Sequence, residues 1–264
     1  MQTAAVIAET MRESGHDVLH LSTSLAPIHT ALMVERVKQR LRCGTADWTL
    51  VATSCVEAGM NFSFRTGFRE RASTASLIQI GGRVSRGNEF TDAEVWDILL
   101  QDDRFRSNPT LSISRRALDH FSVGELNEMH SSQLATNAMR REWTSGADDK
   151  AKKLIKDEKD MEYPSVSDAC RVIDTDTRTV IIDKSLAEAI QNGERVSRID
   201  LMNYSVQIWA SKIEKLALRP IFNSNHFTDS EIYIWPYDYD SDFLGYMKGI
   251  LKLEKFISAG GAII

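Results

Sequence analysis

The chain has 264 residues, 42% hydrophobic and 26% charged, enough to bury a core and build one domain of ordinary size plus a smaller addition. Its formal charge of −5 excludes a generally sticky nucleic-acid binder while leaving room for a local basic groove. No apolar run reaches the length of a membrane span and the N-terminus carries no signal-peptide pattern. The three cysteines, Cys43, Cys55 and Cys170, lack metal-ligand spacing, so a reducing, cytoplasmic setting is expected.

Taken in order, Gln2 to Glu13 has a helical pattern that stops at Ser14-Gly15. Val18 to Leu21 reads as a short buried strand, followed by the polar loop Ser22-Thr23-Ser24. Pro27 sits where a helical first turn tolerates proline, and that helix runs to about Arg42. Trp48 to Thr53 is the next strand, Ser76 to Ser85 a helix and Glu94 to Leu100 a strand. Helices alternating with nearly all-apolar strands predict a parallel sheet covered on both faces. Residues 114–161 read as wholly helical and end in a charged run. Two β-rich runs between Cys170 and Asp183 flank Asp174-Thr175-Asp176-Thr177 and predict a hairpin. A helix from about Ser185 to Asn192 closes at Gly193, and the tail holds the aromatic run IYIWPYDYDSDFLGYM.

Two segments carry chemistry. In VATSCVEAGMNF an apolar strand ends at Thr53, with Gly59 and Asn61 following; in QIGGRVSRG the spacing is Q-x-x-G-R-x-x-R over Gln79, Gly82, Arg83 and Arg86. On a helix the two arginines share one face, behind a glycine that lets a backbone or a phosphate come close. That arrangement offers a forked cation to a nucleotide phosphate. Arg65, Arg69 and Arg71 form a basic cluster that lines a nucleic-acid path or a solvated loop, since Glu70 sits among them. Tyr233, Trp235, Tyr237 and Tyr239 either stack on bases or pack a small domain, and packing is the safer assignment.

These two segments resemble motifs V and VI of superfamily 2 helicases. VATSCVEAGMNFSF followed by SLIQIGGRVSRG is similar to the CRISPR-associated helicase-nuclease family of type I interference systems, with YSVQIWASKIEKL and YDYDSDFLGYM a softer match to that family's ending. The resemblance implies an α/β chain in three parts. These are a RecA-like second lobe over 1–110, with flanking helices and its first strand apparently missing, a helical connector over 111–164, and a small α/β C-terminal domain over 165–264. By the same resemblance Arg83 and Arg86 reach the ATP γ-phosphate held by the other lobe, and Gln79 couples nucleotide to the interlobe interface. Gly59 and Gly82 allow close approach, and Asn61 stands where many relatives carry an aspartate linked to ribose or to motif VI. Thr53, Ser22 and Thr23 hold nucleic-acid phosphates, with Arg65 and Arg69 along the path. Grips of this kind hold backbone rather than bases, so binding is expected to be sequence-tolerant and salt-dependent.

No G-x-x-x-x-G-K-[ST] occurs, so ATP and Mg²⁺ are implied only through a missing first lobe, and the chain alone is expected neither to hydrolyse ATP nor to cut DNA. Asp157-Glu158-Lys159-Asp160 spells an acidic motif but lies in a charged helical run, and His16-Asp17 sits in a turn without companion ligands. No metal site is expected. The implied partners are the first RecA-like lobe, single-stranded DNA and a CRISPR surveillance complex, with no membrane, in a prokaryotic cytoplasm. The competing readings are a non-catalytic module that docks on a partner helicase or surveillance complex, and a fragment of another remodelling ATPase.

Overall fold

A computed structural model describes residues 1–44, 47–57, 59–87, 89–101, 111–146, 149–169, 176–221 and 232–259. The chain begins α1 (Gln2–Glu13), β1 (Val18–Leu21), α2 (Pro27–Cys43), β2 (Thr49–Ala52), β3 (Thr66–Glu70), α3 (Thr74–Gly81) and β4 (Glu94–Ile98). Five helices follow: α4 (Ser112–Asp119), α5 (Val123–Glu128), α6 (Ser131–Gly146), α7 (Asp149–Lys159) and α8 (Tyr163–Ala169). The remainder is β5 (Thr177–Ile181), α9 (Lys184–Gln191), α10 (Arg198–Asn203), β6 (Ser205–Trp209), α11 (Ala210–Ile213), β7 (Arg219–Pro220), β8 (Ile232–Ile234) and α12 (Met247–Ser258). The fold is α/β. Packing divides it into two units, Met1–Met60 with Thr175–Ile264, and Asn61–Asp174. That division differs from the expected 1–110, 111–164 and 165–264, because the N-terminal elements share their core with the C-terminal ones.

In the first unit β1 runs parallel to β2, from Val18 opposite Thr49 to Leu21 opposite Ala52. Every residue of β1 is buried, and α1 brings Ala5 and Ala8 onto the same core as Val18, Val206, Trp235, Phe243 and Leu251. Small alanines on α1 let its backbone lie close to its neighbours. Lys255 of α12 pairs with Glu9 of α1, and Gln2 donates to Glu254. The four-stranded sheet has the order β6-β5-β8-β7, with β5 antiparallel to β6 and parallel to β8. The hairpin expected around residues 174–177 falls partly outside the described residues, and β5 takes its partners from later in the chain instead. Asp183 caps α9 by accepting from Leu186 N–H at 2.8 Å, and Gly193 closes it at φ +78°. The aromatic run packs as expected. Trp235 is 1% exposed and donates to Asp238 O, and Tyr237 donates to Leu216 O.

In the second unit β3 runs parallel to β4, Phe68 standing opposite Trp96. Gly67 faces α3 and the segment that follows it, where an added Cβ would come within 3.1 Å of Ile80 Cγ1 and 2.7 Å of Val84 Cγ2. Only a glycine there permits this approach. The expected parallel strands are present, β1 with β2 in the first unit and β3 with β4 in the second, and Phe68 and Trp96 on the latter pair are 62% and 51% exposed. The helical run 114–161 is also broken, after Asp119 and after Glu128. Ser122 and Glu125 form a reciprocal capping box that starts a new helix, and Arg141 stacks on Phe121 at 3.9 Å. Asp157, Glu158 and Lys159 end α7, with Glu158 and Lys159 exposed, in keeping with a solvated face.

Candidate functional site

The second unit presents Arg86. Ser73 and Ser76 cap α3 reciprocally, and the helix stops at Gly81. Arg83 and Arg86 therefore lie beyond the helix, not on one of its faces as the spacing predicted. Val84 leaves the helical path to bridge Phe64, with Phe64 N–H donating to Arg83 O at 2.9 Å and Ser85 N–H to Phe64 O at 2.8 Å. Buried Phe62, edge-on to Phe64, anchors that segment. The Arg86 N–H donates to Ser63 Oγ at 3.0 Å, and Arg86 Nη1 donates to Asn61 Oδ1 at 2.7 Å. Ser85 and Gly87, on either side, have φ of +47° and +82°. Exposed Arg86 is thus held by two neutral acceptors and keeps its full charge toward solvent.

The neighbouring expectations fare unevenly. Gln79 is exposed on the last turn of α3, and Arg83 is half-buried. Gly82 has φ −68°, and an added Cβ would meet only ordinary contacts, so nothing in the protein requires a glycine there. Gly59 is needed for its φ of +76° and not for close approach, since an added Cβ would meet nothing within 4 Å. Arg65 is exposed, pairs with Asp92 at 3.7 Å and stacks on Phe90 at 5.4 Å. Arg69 is half-buried, with its Nε out of solvent's reach. Arg71 is structural, since it binds Asp97 at 2.5 Å and Asp119 at 2.9 Å and so ties β4 to α4.

In the first unit the Ser22–Ser24 loop and Thr53 emerge side by side from the C-terminal ends of two parallel strands, the edge where open α/β sheets bind ligands. The Thr53 N–H, expected to hold a phosphate, instead donates to Leu21 O at 3.1 Å. Its hydroxyl lies 3.4 Å from Cys55 Sγ. Burial pushes the Cys55 thiol up, away from the reactive thiolate. Ser22 is 1% exposed and faces inward, which corrects its assignment as a phosphate contact through the hydroxyl; Thr23 is exposed. Ser22 Oγ lies 3.0 Å from His20 Nε2 and 2.6 Å from Ser24 Oγ, while Ser24 donates to Leu244 O at 2.8 Å. His20 Nδ1 lies 3.0 Å from Val51 O, a carbonyl that only accepts, so Nδ1 carries the proton. Burial pushes His20 down to about 4, against the pull of its bond to Val51. With His20 neutral the row of four contacts holds three protons, and since Ser24 donates to Leu244 O, the Ser22 hydroxyl divides its proton between His20 Nε2 and Ser24 Oγ. Among the described residues no three His, Cys, Asp or Glu side chains gather as metal ligands.

A family model described as CRISPR-associated nuclease/helicase Cas3, C-terminal, matches residues 1–89. Over that segment the chain is similar to the C-terminal part of Cas3 helicase-nucleases. The CRISPR-associated nuclease/helicase Cas3 of Haloferax volcanii is 29% identical over 99 residues, 36% of this chain and 10% of that protein. The crystal structure of T. fusca Cas3 superposes with a TM-score of 0.57 at 11% identity, covering 90% of this chain and 34% of that one. Its ATP form gives 0.56 at 13% identity, with the same coverage. The chain thus spans about a third of the solved Cas3 relatives, and at such identity the likeness concerns the fold.

The residues of the two motif-like segments, together with Ser22, Thr23, Arg65 and Arg69, fall inside the Cas3-like segment 1–89. Asn61 and Arg86 are brought into direct contact, with Arg65 close by through Phe90. Sequence reasoning missed Ser63, which holds the Arg86 backbone, and Ser85, which shapes its turn. The signal for Ser85 is faint: a small polar residue next to an arginine, two before a glycine, in a stretch otherwise read as helix.

Proposed function

We propose that this chain is the C-terminal portion of an ATP-dependent DNA translocase of a CRISPR interference system. In this reading Arg86, with Arg83 beside it in sequence, supplies positive charge to a nucleotide bound by a separate first lobe. The carrying observation is the Asn61–Arg86 hydrogen bond, which aims a guanidinium without neutralising it. An arginine held by a carboxylate would bring far less net charge to a γ-phosphate. The residues present fit the terminal phosphate of ATP but not its cradle or its Mg²⁺. The sequence has no P-loop, and the described residues gather no carboxylate cluster. ATP supplies the free energy of translocation when bound.

In this reading Thr53 and the exposed Thr23 grip a DNA strand through phosphates at the strand ends, and Arg65 extends the path. Contacts of this sort carry no base readout and weaken with salt. The test is reconstitution with a P-loop first lobe. DNA-stimulated ATP hydrolysis is expected from the mixture and from neither part alone. A mixture that stays inactive while the two parts bind each other favours a regulatory docking module. Strong hydrolysis by this chain alone contradicts the proposal.

A further inference from the structure

We infer that Ser85 is a positioning residue for Arg86, its hydroxyl closing the left-handed turn that sets where the guanidinium points. Among the described residues three non-glycine positions have positive φ: Ser85, Met161 and Ala217. Met161 and Ala217 follow the ends of α7 and α11, where left-handed caps are ordinary. Ser85 follows no helix end directly, since α3 stops at Gly81 and a β-bridge at Val84 intervenes. At φ +47° glycine is the undemanding choice, so a serine there is explained by what its side chain does. Its Oγ donates to Phe90 O at 2.8 Å and accepts from Phe90 N–H at 2.9 Å, which satisfies both backbone groups of one residue. The hydroxyl thereby fixes both ends of the stretch that carries Arg86.

Three supports then converge on the arginine. Ser63 holds its backbone, Asn61 holds its guanidinium, and Ser85 holds the turn between them. Phe90 also lies under the Arg65 guanidinium, so its placement affects two cations at once. Without the Ser85 hydroxyl the backbone on either side of Arg86 is free to reorient, and the Asn61 bond loses its fixed geometry. This inference rests on the reading of Arg86 as the nucleotide-facing cation, but its structural part is tested independently of that reading.

The test compares Ser85→Gly, which keeps the positive φ and removes the hydroxyl, with Ser85→Ala, which removes the hydroxyl and keeps the steric demand. In the isolated chain, NMR of the Arg86 guanidinium protons, assigned with Arg86→Lys, is expected to show protected signals in the parent. Both Ser85 variants are expected to lose that protection while melting remains cooperative. Unchanged Arg86 signals in Ser85→Gly overturn the inference. In the reconstituted ATPase, Ser85→Gly is expected to lower kcat about 10-fold with little change in KM, and to have no further effect in an Arg86→Ala background. An equal loss in both backgrounds shows that Ser85 acts on the fold at large and also overturns it. If Arg86→Ala is silent while Ser85→Gly releases the guanidinium, the proposed function fails and the positioning role stands.

Discussion

The His20–Ser22–Ser24 row and the Arg86 turn are both polar constructions at the ends of parallel-strand segments, and they spend their hydrogen bonds in opposite directions. The first is buried, ends on the carbonyls of Val51 and Leu244, and shows solvent little but Thr23. The second is exposed, uses neutral side chains as props, and leaves a full positive charge facing outward. Buried polar rows of this kind specify how chain segments meet. An outward-facing propped cation does little for the protein's own folding. The difference separates residues that should control stability from residues that should control activity.

The predictions sharpen or break that contrast. The largest effect is expected at Arg86, where Arg86→Ala in the reconstituted ATPase removes about 10³-fold of the rate. Next is Gly245, at φ +59°, where an added Cβ would sit 2.1 Å from Ser24 O. Gly245→Ala must force the C-terminal turn off the Ser24 loop, at a cost of about 3 kcal/mol or more in urea unfolding. It should leave the Arg86 guanidinium signals unchanged.

The third prediction concerns pH. His20 titrates near 6.5 when unfolded and at about 4 when folded, so the unfolded chain binds the extra proton between those values. Stability from this group is complete above about pH 6.5 and is lost as pH falls toward 4, amounting to about 3 kcal/mol. Unfolding midpoints across that window should slope for the parent chain and flatten for His20→Gln. Ser24→Ala should cost about 1–2 kcal/mol by leaving Leu244 O without its donor. The smallest stability change belongs to Asn61→Ala, within about 0.5 kcal/mol of the parent at that exposed position. If Asn61→Ala destabilises as much as Ser24→Ala, the contrast is wrong.

Much of the fold was legible because local signals agreed with it. The periodicity of Gln2–Glu13, the buried VLHL strand and Pro27 at a helix start all placed their elements correctly. The helix through Arg83 and Arg86 was misread because QIGGRVSR keeps a helical spacing, whereas Val84 is drawn into a bridge with Phe64 that no local pattern announces. Ser22 was misread for a similar reason. A polar loop after a strand looks solvent-facing, and only the C-terminal turn arriving at Ser24 reveals that two of its hydroxyls are buried. The Asn61–Arg86 bond was anticipated as a link between the two motifs through the family resemblance, not through spacing.

The central claim is tested most directly by the DNA-stimulated ATPase of this chain reconstituted with a P-loop first lobe, comparing the parent with Arg86→Ala at saturating ATP. The account predicts that kcat falls about 10³-fold while DNA affinity and melting temperature hold. Equal rates, or a loss that tracks weakened DNA binding, would contradict it.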